Sequence, residues 1–182
     1  MTKHIDEQLQ KLDEALRHLF TELDNYSESK LNQKPTPKSW SVFQIMHHLI
    51  RTEGYSLKYV QKKLSYNPTL KNANFLTHIR VFSAKLYNRF PFKIKAPESV
   101  GEGLPDLSAF WETAKVWKNQ REELRAYLKE LPESTFKKEV YKHPIFGRMT
   151  LSGMLTFFEQ HFERHQRQIY KTLEQVDAVK IK

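Results

Sequence analysis

The sequence predicts an all-α protein, a four-helix bundle with a long connection and a short extra helix between its second and third helices. Two observations lead to this fold. Apolar residues recur at intervals of three and four over four long stretches, which is the spacing of one buried helix face. Polar spacers rich in proline separate them, with no internal repeat. The spacers allow an up-and-down bundle or one with a long crossover.

The chain of 182 residues has the length of an ordinary single domain, so we expect residues 1–182 to form one helical-bundle domain. The first helix is expected over residues 4 to about 25, where leucines follow Ile5 at helical spacing. The stretch SESKLNQKPTPK is polar, contains two prolines and is predicted to be a loop.

A second helix is predicted from Ser41 to about Leu64, because Ser41 and Gln44 have the spacing of a capping box. One face of this helix carries Ile45, His48, Leu49, Thr52 and Val60. Asn67-Pro68 ends it. A shorter helix is then predicted up to Arg89 from the stripe Phe75, Ile79, Phe82 and Leu86.

Residues 91–106 contain three prolines and two glycines and are predicted to form a loop long enough to have a role of its own. The third bundle helix is predicted over Leu107 to Leu131. Its expected core positions are Phe110, Ala114, Trp117, Leu124 and Leu128. Residues 133–149, with the turn sequence HPIFGR, are expected to be an extended arm that returns the chain across the bundle.

The last helix is predicted to begin after Thr150, which is a suitable N-cap. Its apolar stripe is Leu151, Leu155, Phe158, Phe162, His165, Ile169 and Leu173. His165 thus lies within a stripe of core residues. The sequence HFERHQRQ also places His161 one turn before it, about 40° away around the helix, so both imidazoles can converge on one point.

The net charge of +9 favours anionic partners such as nucleic acid, an anionic membrane surface or acidic small molecules. The lysines are scattered and form no Arg-rich run, so a solvated surface is the preferred interpretation and nucleic acid is not expected to be a partner. No stretch approaches the roughly 20 apolar residues that cross a bilayer, and the N-terminus is polar. We therefore expect a soluble, cytoplasmic protein without a membrane partner.

The histidines allow two interpretations. Helical histidines at i and i+4 hold zinc in other folds, and His48 lies on the apolar face of the second helix, so three imidazoles can point inward. A buried polar group without a partner costs about 1–3 kcal/mol, which either a cation or hydrogen bonds to Tyr and Gln would offset. His47 is expected to face outward. The absence of cysteine excludes thiolate ligands.

Two segments resemble a known family. KSWSVFQIMHHLIRTE and HPIFGRMTLSGMLTFFEQHFERHQRQI look like the DinB-like, or YfiT-like, superfamily of four-helix metal-binding proteins, which includes hydrolases and thiol S-transferases. The resemblance implies that His48, His161 and His165 bind a divalent metal ion, namely zinc, nickel or manganese, and that the protein is a homodimer. Gln168 occupies a position that is often polar in the family. Gly153 departs from the pattern, since a capping Glu or Gln would serve better there.

Three neutral ligands leave the charge of a divalent ion uncompensated, which favours a bound anion or an ionised water in the open position. The favoured function is a metal-dependent transferase or hydrolase that acts on a small molecule. The thiol S-transferase is what the family resemblance implies, and it would take a low-molecular-weight thiol as cosubstrate because the chain has no cysteine. The alternative is a non-catalytic bundle module whose metal is structural or absent and which works through dimerisation or a partner. A structural zinc normally has four protein ligands, so three ligands favour chemistry.

The sequence identifies no general acid or base. Glu53 and Glu159 are candidates, although Glu53 lies about 140° around the helix from His48 and is expected to be a solvated or interhelical charge. Four aromatic residues either line a pocket or pack in the core, and core packing is the favoured interpretation. They are Tyr55, Tyr59, Trp111 and Trp117. Lys93 and Lys95 are candidates to attract an acidic substrate to a covering loop.

Overall fold

The computed structural model describes residues 2–90 and 98–180. The helices are α1 (Lys3–Leu23), α2 (Glu28–Asn32), α3 (Val42–Ser65), α4 (Phe75–Arg89), α5 (Glu98–Gly101), α6 (Phe110–Glu130) and α7 (Leu151–Lys180). A 3-10 turn at Glu133–Lys137 and an antiparallel hairpin of β1 (Tyr141–His143) and β2 (Gly147–Met149) lie between α6 and α7. The predicted all-α class is confirmed. The extended arm predicted over residues 133–149 is wrong in part, because its first residues form the 3-10 turn and only the segment from Tyr141 to Met149 is the hairpin.

The four long helices α1, α3, α6 and α7 form the bundle. In this bundle α7 contacts α1 and α3, and α6 packs on the other side of the same two helices. Gln8 bonds to the carbonyl oxygen of Ser152 near the start of α7, and Tyr170 near its end bonds to Glu22. The start of α1 thus contacts the start of α7, and the end of α1 contacts a later part of α7. The two helices therefore run in the same direction.

A long crossover connects α3 to α6. Met46 and Ala114, near the starts of α3 and α6, share one core cluster, whereas Val60 and Leu128, near their ends, share the other. The two helices are therefore parallel. In the sequence, α4 lies between α3 and α6, and it packs against α7. Of the two arrangements that the sequence left open, the structure has the crossover, and the predicted short extra helix is α4.

Local capping signals account for most helix starts. Ser41 and Gln44 form the predicted capping box, and Thr150 accepts the backbone N–H of Gly153 as the predicted N-cap. The loop predicted over SESKLNQKPTPK is wrong in part, because it contains α2. Ser27 caps this short helix and Leu31 anchors it in the core.

The stripe that predicted α4 faces outward. Phe75, Ile79, Phe82 and Leu86 are exposed, although the helix itself is present where expected. The inward side of α4 is made of smaller residues, and close approach to α7 requires this. A Cβ added to Gly153 would lie 2.8 Å from Cγ2 of Val81. The glycine that departs from the helix-capping pattern therefore permits the contact between α4 and α7.

Two further predictions concern the core positions of α6 and the lack of a membrane-spanning segment. Ala114, Trp117, Leu124 and Leu128 are buried as expected, and Phe110 is partly buried. Within residues 2–90 and 98–180, no helix combines the length and the hydropathy that a membrane span requires.

Candidate metal centre

Three histidines from two helices meet at one point. His48 on α3 faces His161 and His165 on α7, which the antiparallel packing of these helices brings opposite. The Nε2 atom of His161 lies 3.4 Å from Nε2 of His48 and 3.1 Å from Nε2 of His165. All three pairs of nitrogen atoms lie within 4.8 Å of one another. The structure thus brings together the three residues that the sequence analysis selected.

Acceptors on the far side of two rings orient these nitrogens. Nδ1 of His48 donates to the carbonyl oxygen of Val100 over 3.0 Å, and Nδ1 of His165 donates to Oε1 of Gln168 over 2.8 Å. Each of these neutral rings therefore carries its proton on Nδ1 and presents an Nε2 lone pair to the cluster. Metal-binding histidines are commonly held in this way by an acceptor on the second ring nitrogen.

The environment keeps the three rings neutral. Burial lowers the pKa of His48, opposed in part by its bond to Val100. Burial together with the neighbouring imidazoles holds the pKa of His161 well below its ordinary value. Burial lowers the pKa of His165 to about 3, with a further contribution from His48. Neutral imidazole is the form that binds a metal ion, so these ligands are ready at physiological pH.

The donor set fits a divalent ion. Three nitrogens at about 2.1 Å from one ion with tetrahedral angles are about 3.4 Å apart. The two Nε2–Nε2 distances to His161, 3.4 and 3.1 Å, match this spacing. His48 and His165 are buried whereas His161 is partly exposed, so the open side of the cluster lies at His161. Phe157 stacks on the His161 ring at 5.0 Å and forms an apolar wall.

The other predicted polar residues stay outside the cluster. His47 does not join it and instead bonds Ser108 through Nε2 over 2.8 Å. Glu53 is buried and bound by Arg121, so it is an interhelical charge as the sequence suggested. Glu159 lies partly exposed on α7 and is not among the clustered side chains.

The aromatic candidates divide between core and surface. Trp117 is fully buried in the core and Tyr59 packs against Tyr141, whereas Tyr55 and Trp111 are exposed. The expectation for Lys93 and Lys95 falls outside the described residues. Of the predicted loop, the part that the structure describes begins with α5.

His143 is a functional candidate that sequence reasoning missed. Its Nδ1 accepts the backbone N–H groups of Ile145 and Phe146, which places the proton of the neutral ring on Nε2. The ring lies 4.4 Å from Phe157, which in turn stacks on His161. Burial lowers the pKa of His143 to about 4. The signal that could have found it is the alternation of strand residues. His143 and Tyr141 share the buried face of β1, and the residue between them is exposed.

Comparison with known proteins agrees with this architecture. The chain is 26% identical over 164 residues to the uncharacterized protein YuaE of Bacillus subtilis (strain 168), with 90% of this chain and 96% of YuaE covered. The solved structure of YfiT from Bacillus subtilis superposes with a TM-score of 0.62 at 18% identity, covering 94% of this chain and 87% of YfiT. YfiT is described as a probable metal-dependent hydrolase with an unusual four-helix bundle topology.

At this level of identity, the likeness to YfiT establishes the fold, and the predicted four-helix bundle is confirmed. The family model of the DinB superfamily matches residues 8–169, which is most of the chain. The protein therefore belongs to the DinB superfamily.

Proposed function

We propose that this protein is a divalent-metal-dependent hydrolase of a small molecule and that His48, His161 and His165 hold the ion. The observation that carries the proposal is the convergence of three Nε2 atoms from rings that are neutral. The likeness to YfiT, described as a probable metal-dependent hydrolase, supports it. Zinc, nickel and manganese are the candidate ions that the family resemblance implies, and the all-imidazole donor set suits zinc and nickel better than manganese.

His48, His161 and His165 would hold the divalent ion, which when bound would supply Lewis-acid activation of a water molecule near neutral pH. The surrounding residues restrict where a substrate enters. His48 and His165 are 3% and 8% exposed, so approach from their sides is closed, whereas partly exposed His161 borders the open side. Three neutral ligands contribute no negative charge, which favours substrates whose reacting group is anionic or becomes so.

His143 is the second residue to which we assign a role. Its Nε2–H has no hydrogen-bond acceptor among the described side chains, and Phe157 separates it from His161 by one ring. Because its Nδ1 is occupied by two backbone donors, the ring stays neutral and offers a hydrogen bond to a polar substrate group. A residue with this role affects substrate binding and leaves the metal content unchanged.

The metal assignment is tested by elemental analysis of the purified protein after removal of metal with EDTA and reloading with zinc, nickel or manganese. We expect about one ion per chain in the wild type and less than a tenth of that in His161→Ala, because one of three ligands is lost. His47→Ala is the matched control, since His47 neighbours His48 but bonds only Ser108. Stoichiometric metal in His161→Ala would refute the site.

The reaction class is tested with ester and amide substrates, with and without a low-molecular-weight thiol and an electrophilic acceptor. We expect metal-dependent hydrolysis without thiol, and a higher KM at unchanged metal content in His143→Phe. Turnover only with thiol would replace the hydrolase by the S-transferase of the sequence analysis. Bound metal without turnover in either assay would favour the non-catalytic module. The predicted homodimer is tested by the molar mass of the protein in solution.

A further inference from the structure

The outer face of α4 carries the large apolar side chains of that helix. Between 43% and 80% of each side chain is exposed, at intervals of three and four residues, and they are Phe75, Leu76, Ile79, Phe82, Leu86 and Phe90. The opposite side of α4 is buried and contains the smaller Thr77, Ala84 and Asn88. This is the reverse of an ordinary surface helix, whose largest apolar residues face the core. A continuous exposed apolar stripe of this kind marks an interaction surface.

The sequence that leads into α4 is uniformly positive, and three of its cations lie on α4 itself. Residues 54–90 contain no Asp or Glu but seven Lys or Arg, namely Lys58, Lys62, Lys63, Lys71, Arg80, Lys85 and Arg89. Arg80 forms an ion pair with Glu139, which precedes β1. Lys85 and Arg89 are exposed and form no ion pair within residues 2–90 and 98–180. At about 100° per residue, both lie along one edge of the apolar stripe.

We infer that the outer face of α4 docks on the surface of an anionic lipid bilayer. A helix of 15 residues is about 22 Å long and can lie parallel to the membrane plane. Its apolar face then enters the boundary between head groups and acyl chains, while Lys85 and Arg89 meet anionic head groups. Surface docking needs no membrane-spanning helix. The inference departs from the expectation of no membrane partner, which rested on the lack of such a span.

Two other occupants fit this face less well. A second copy of the chain would place Lys85 and Arg89 against cations of the same helix, since α4 contains no acidic residue to compensate them. A nucleic acid would pair with the cations through its phosphates but would leave the apolar stripe of α4 exposed to water. A bilayer with anionic lipids buries the apolar stripe and also pairs its head groups with Lys85 and Arg89.

The inference is tested by co-sedimentation with vesicles of phosphatidylcholine and phosphatidylglycerol in equal amounts, compared with phosphatidylcholine alone. We expect binding to the anionic vesicles, reduced at high salt because the head-group attraction is screened. The double variant Phe82→Ser/Leu86→Ser should bind at least about tenfold more weakly. The matched control is Leu107→Ser/Trp111→Ser, which removes two even more exposed apolar side chains outside α4 and should bind as the wild type does.

A second measurement uses the absence of cysteine from the chain, which permits a single label. An environment-sensitive fluorophore on Ser83→Cys, beside the stripe, should shift to the blue with anionic vesicles, whereas one on Asn119→Cys in α6 should not. Ser83 is partly exposed and Asn119 is exposed, so we expect both variants to fold, which circular dichroism checks.

Equal vesicle binding by the α4 variant and the wild type would overturn the inference, as would no binding at all. A dimer that Phe82→Ser/Leu86→Ser converts to a monomer, without vesicle binding, would assign the face to a second copy instead.

Discussion

Gln168 accepts a hydrogen bond on Oε1 from Nδ1 of His165 over 2.8 Å, one turn along α7 from the histidine cluster. This bond determines which ring nitrogen of His165 carries the proton and therefore directs Nε2 toward the other two rings. The role of Gln168 in the proposed metal site is thus to position a ligand, without contacting the ion.

We expect Gln168→Leu to weaken metal binding by about 10–100-fold, the usual effect of losing such an orienting bond. The measurement is a competition titration against a chelator of known affinity. Gln166→Leu is the control, because Gln166 bonds Tyr170 and does not contact His165. Equal affinities in the two variants would contradict the positioning role.

His143 should contribute to a loss of stability of the metal-free protein on acidification, beside the three cluster histidines, whose pKa values are also lowered. The pKa of His143 is about 4 in the folded protein and about 6.5 in the unfolded chain, so the unfolded chain binds the proton first as the pH falls. The contribution of His143 is therefore fully present above pH 6.5 and is lost progressively toward pH 4, by an amount on the order of 3 kcal/mol. Urea unfolding in EDTA at several pH values measures this slope.

The matched variant for the pH experiment is His143→Phe, which has no group that titrates. Its free energy of unfolding should vary less with pH between 7 and 4 than that of the wild type. Parallel curves for the two proteins would show that His143 does not cause the acid sensitivity.

Gly153→Ala should destabilise the protein by about 1–3 kcal/mol, although alanine is the better helix former. The reason is steric, since the new Cβ would lie 2.8 Å from Cγ2 of Val81 and 3.2 Å from Cβ of Met149. Thermal and urea unfolding measure the loss. Adding Val81→Ala should restore part of it, which a double-mutant cycle quantifies.

Gly54→Ala is the control for this experiment. Its added Cβ would meet only the amide end of Gln120, which can move away, so we expect a change within about 0.5 kcal/mol. Equal effects at the two glycines would indicate that helix propensity, and not the contact between α4 and α7, governs them.

Glu53→Gln should destabilise the protein by about 3–5 kcal/mol. Both carboxylate oxygens of Glu53 bind Arg121, at 2.5 and 2.6 Å, and Trp117 donates to the same carboxylate over 3.2 Å. Loss of the charge leaves the buried guanidinium of Arg121 with only Asp13, at 4.0 Å, as an anionic neighbour among the described residues. Chemical unfolding measures the effect, and partly exposed Glu159→Gln should change stability by less than about 0.5 kcal/mol. A neutral Glu53→Gln would contradict the structural role.

Helix positions were largely predictable because their signals are local. The capping box of Ser41 and Gln44 and the N-cap Thr150 act within one turn, and the apolar periodicity between them needs no knowledge of the partner helix. The five residues of α2 escaped prediction because a helix that short, with only Leu31 buried, has no measurable period.

The histidine cluster was predictable to different degrees. His161 and His165 are neighbours by helix geometry alone, whereas His48 meets them across a separation of 113 residues. Its inward direction follows from the apolar face of α3, but the meeting itself depends on which helices pack together. The apolar face therefore made His48 a candidate third ligand, the family resemblance completed the triad, and His143 was missed.

The sequence alone determined where the helices lie, which residues share a helix face and how charge is distributed along the chain. The tertiary structure decided which faces are buried. Periodicity shows that apolar residues lie on one side of α4, but burial depends on the surface that a neighbour offers. Gly153 lets α4 lie close to α7, and the short distance between the two helices leaves room only for small side chains. The small face of α4 is therefore inside and the large apolar face is outside.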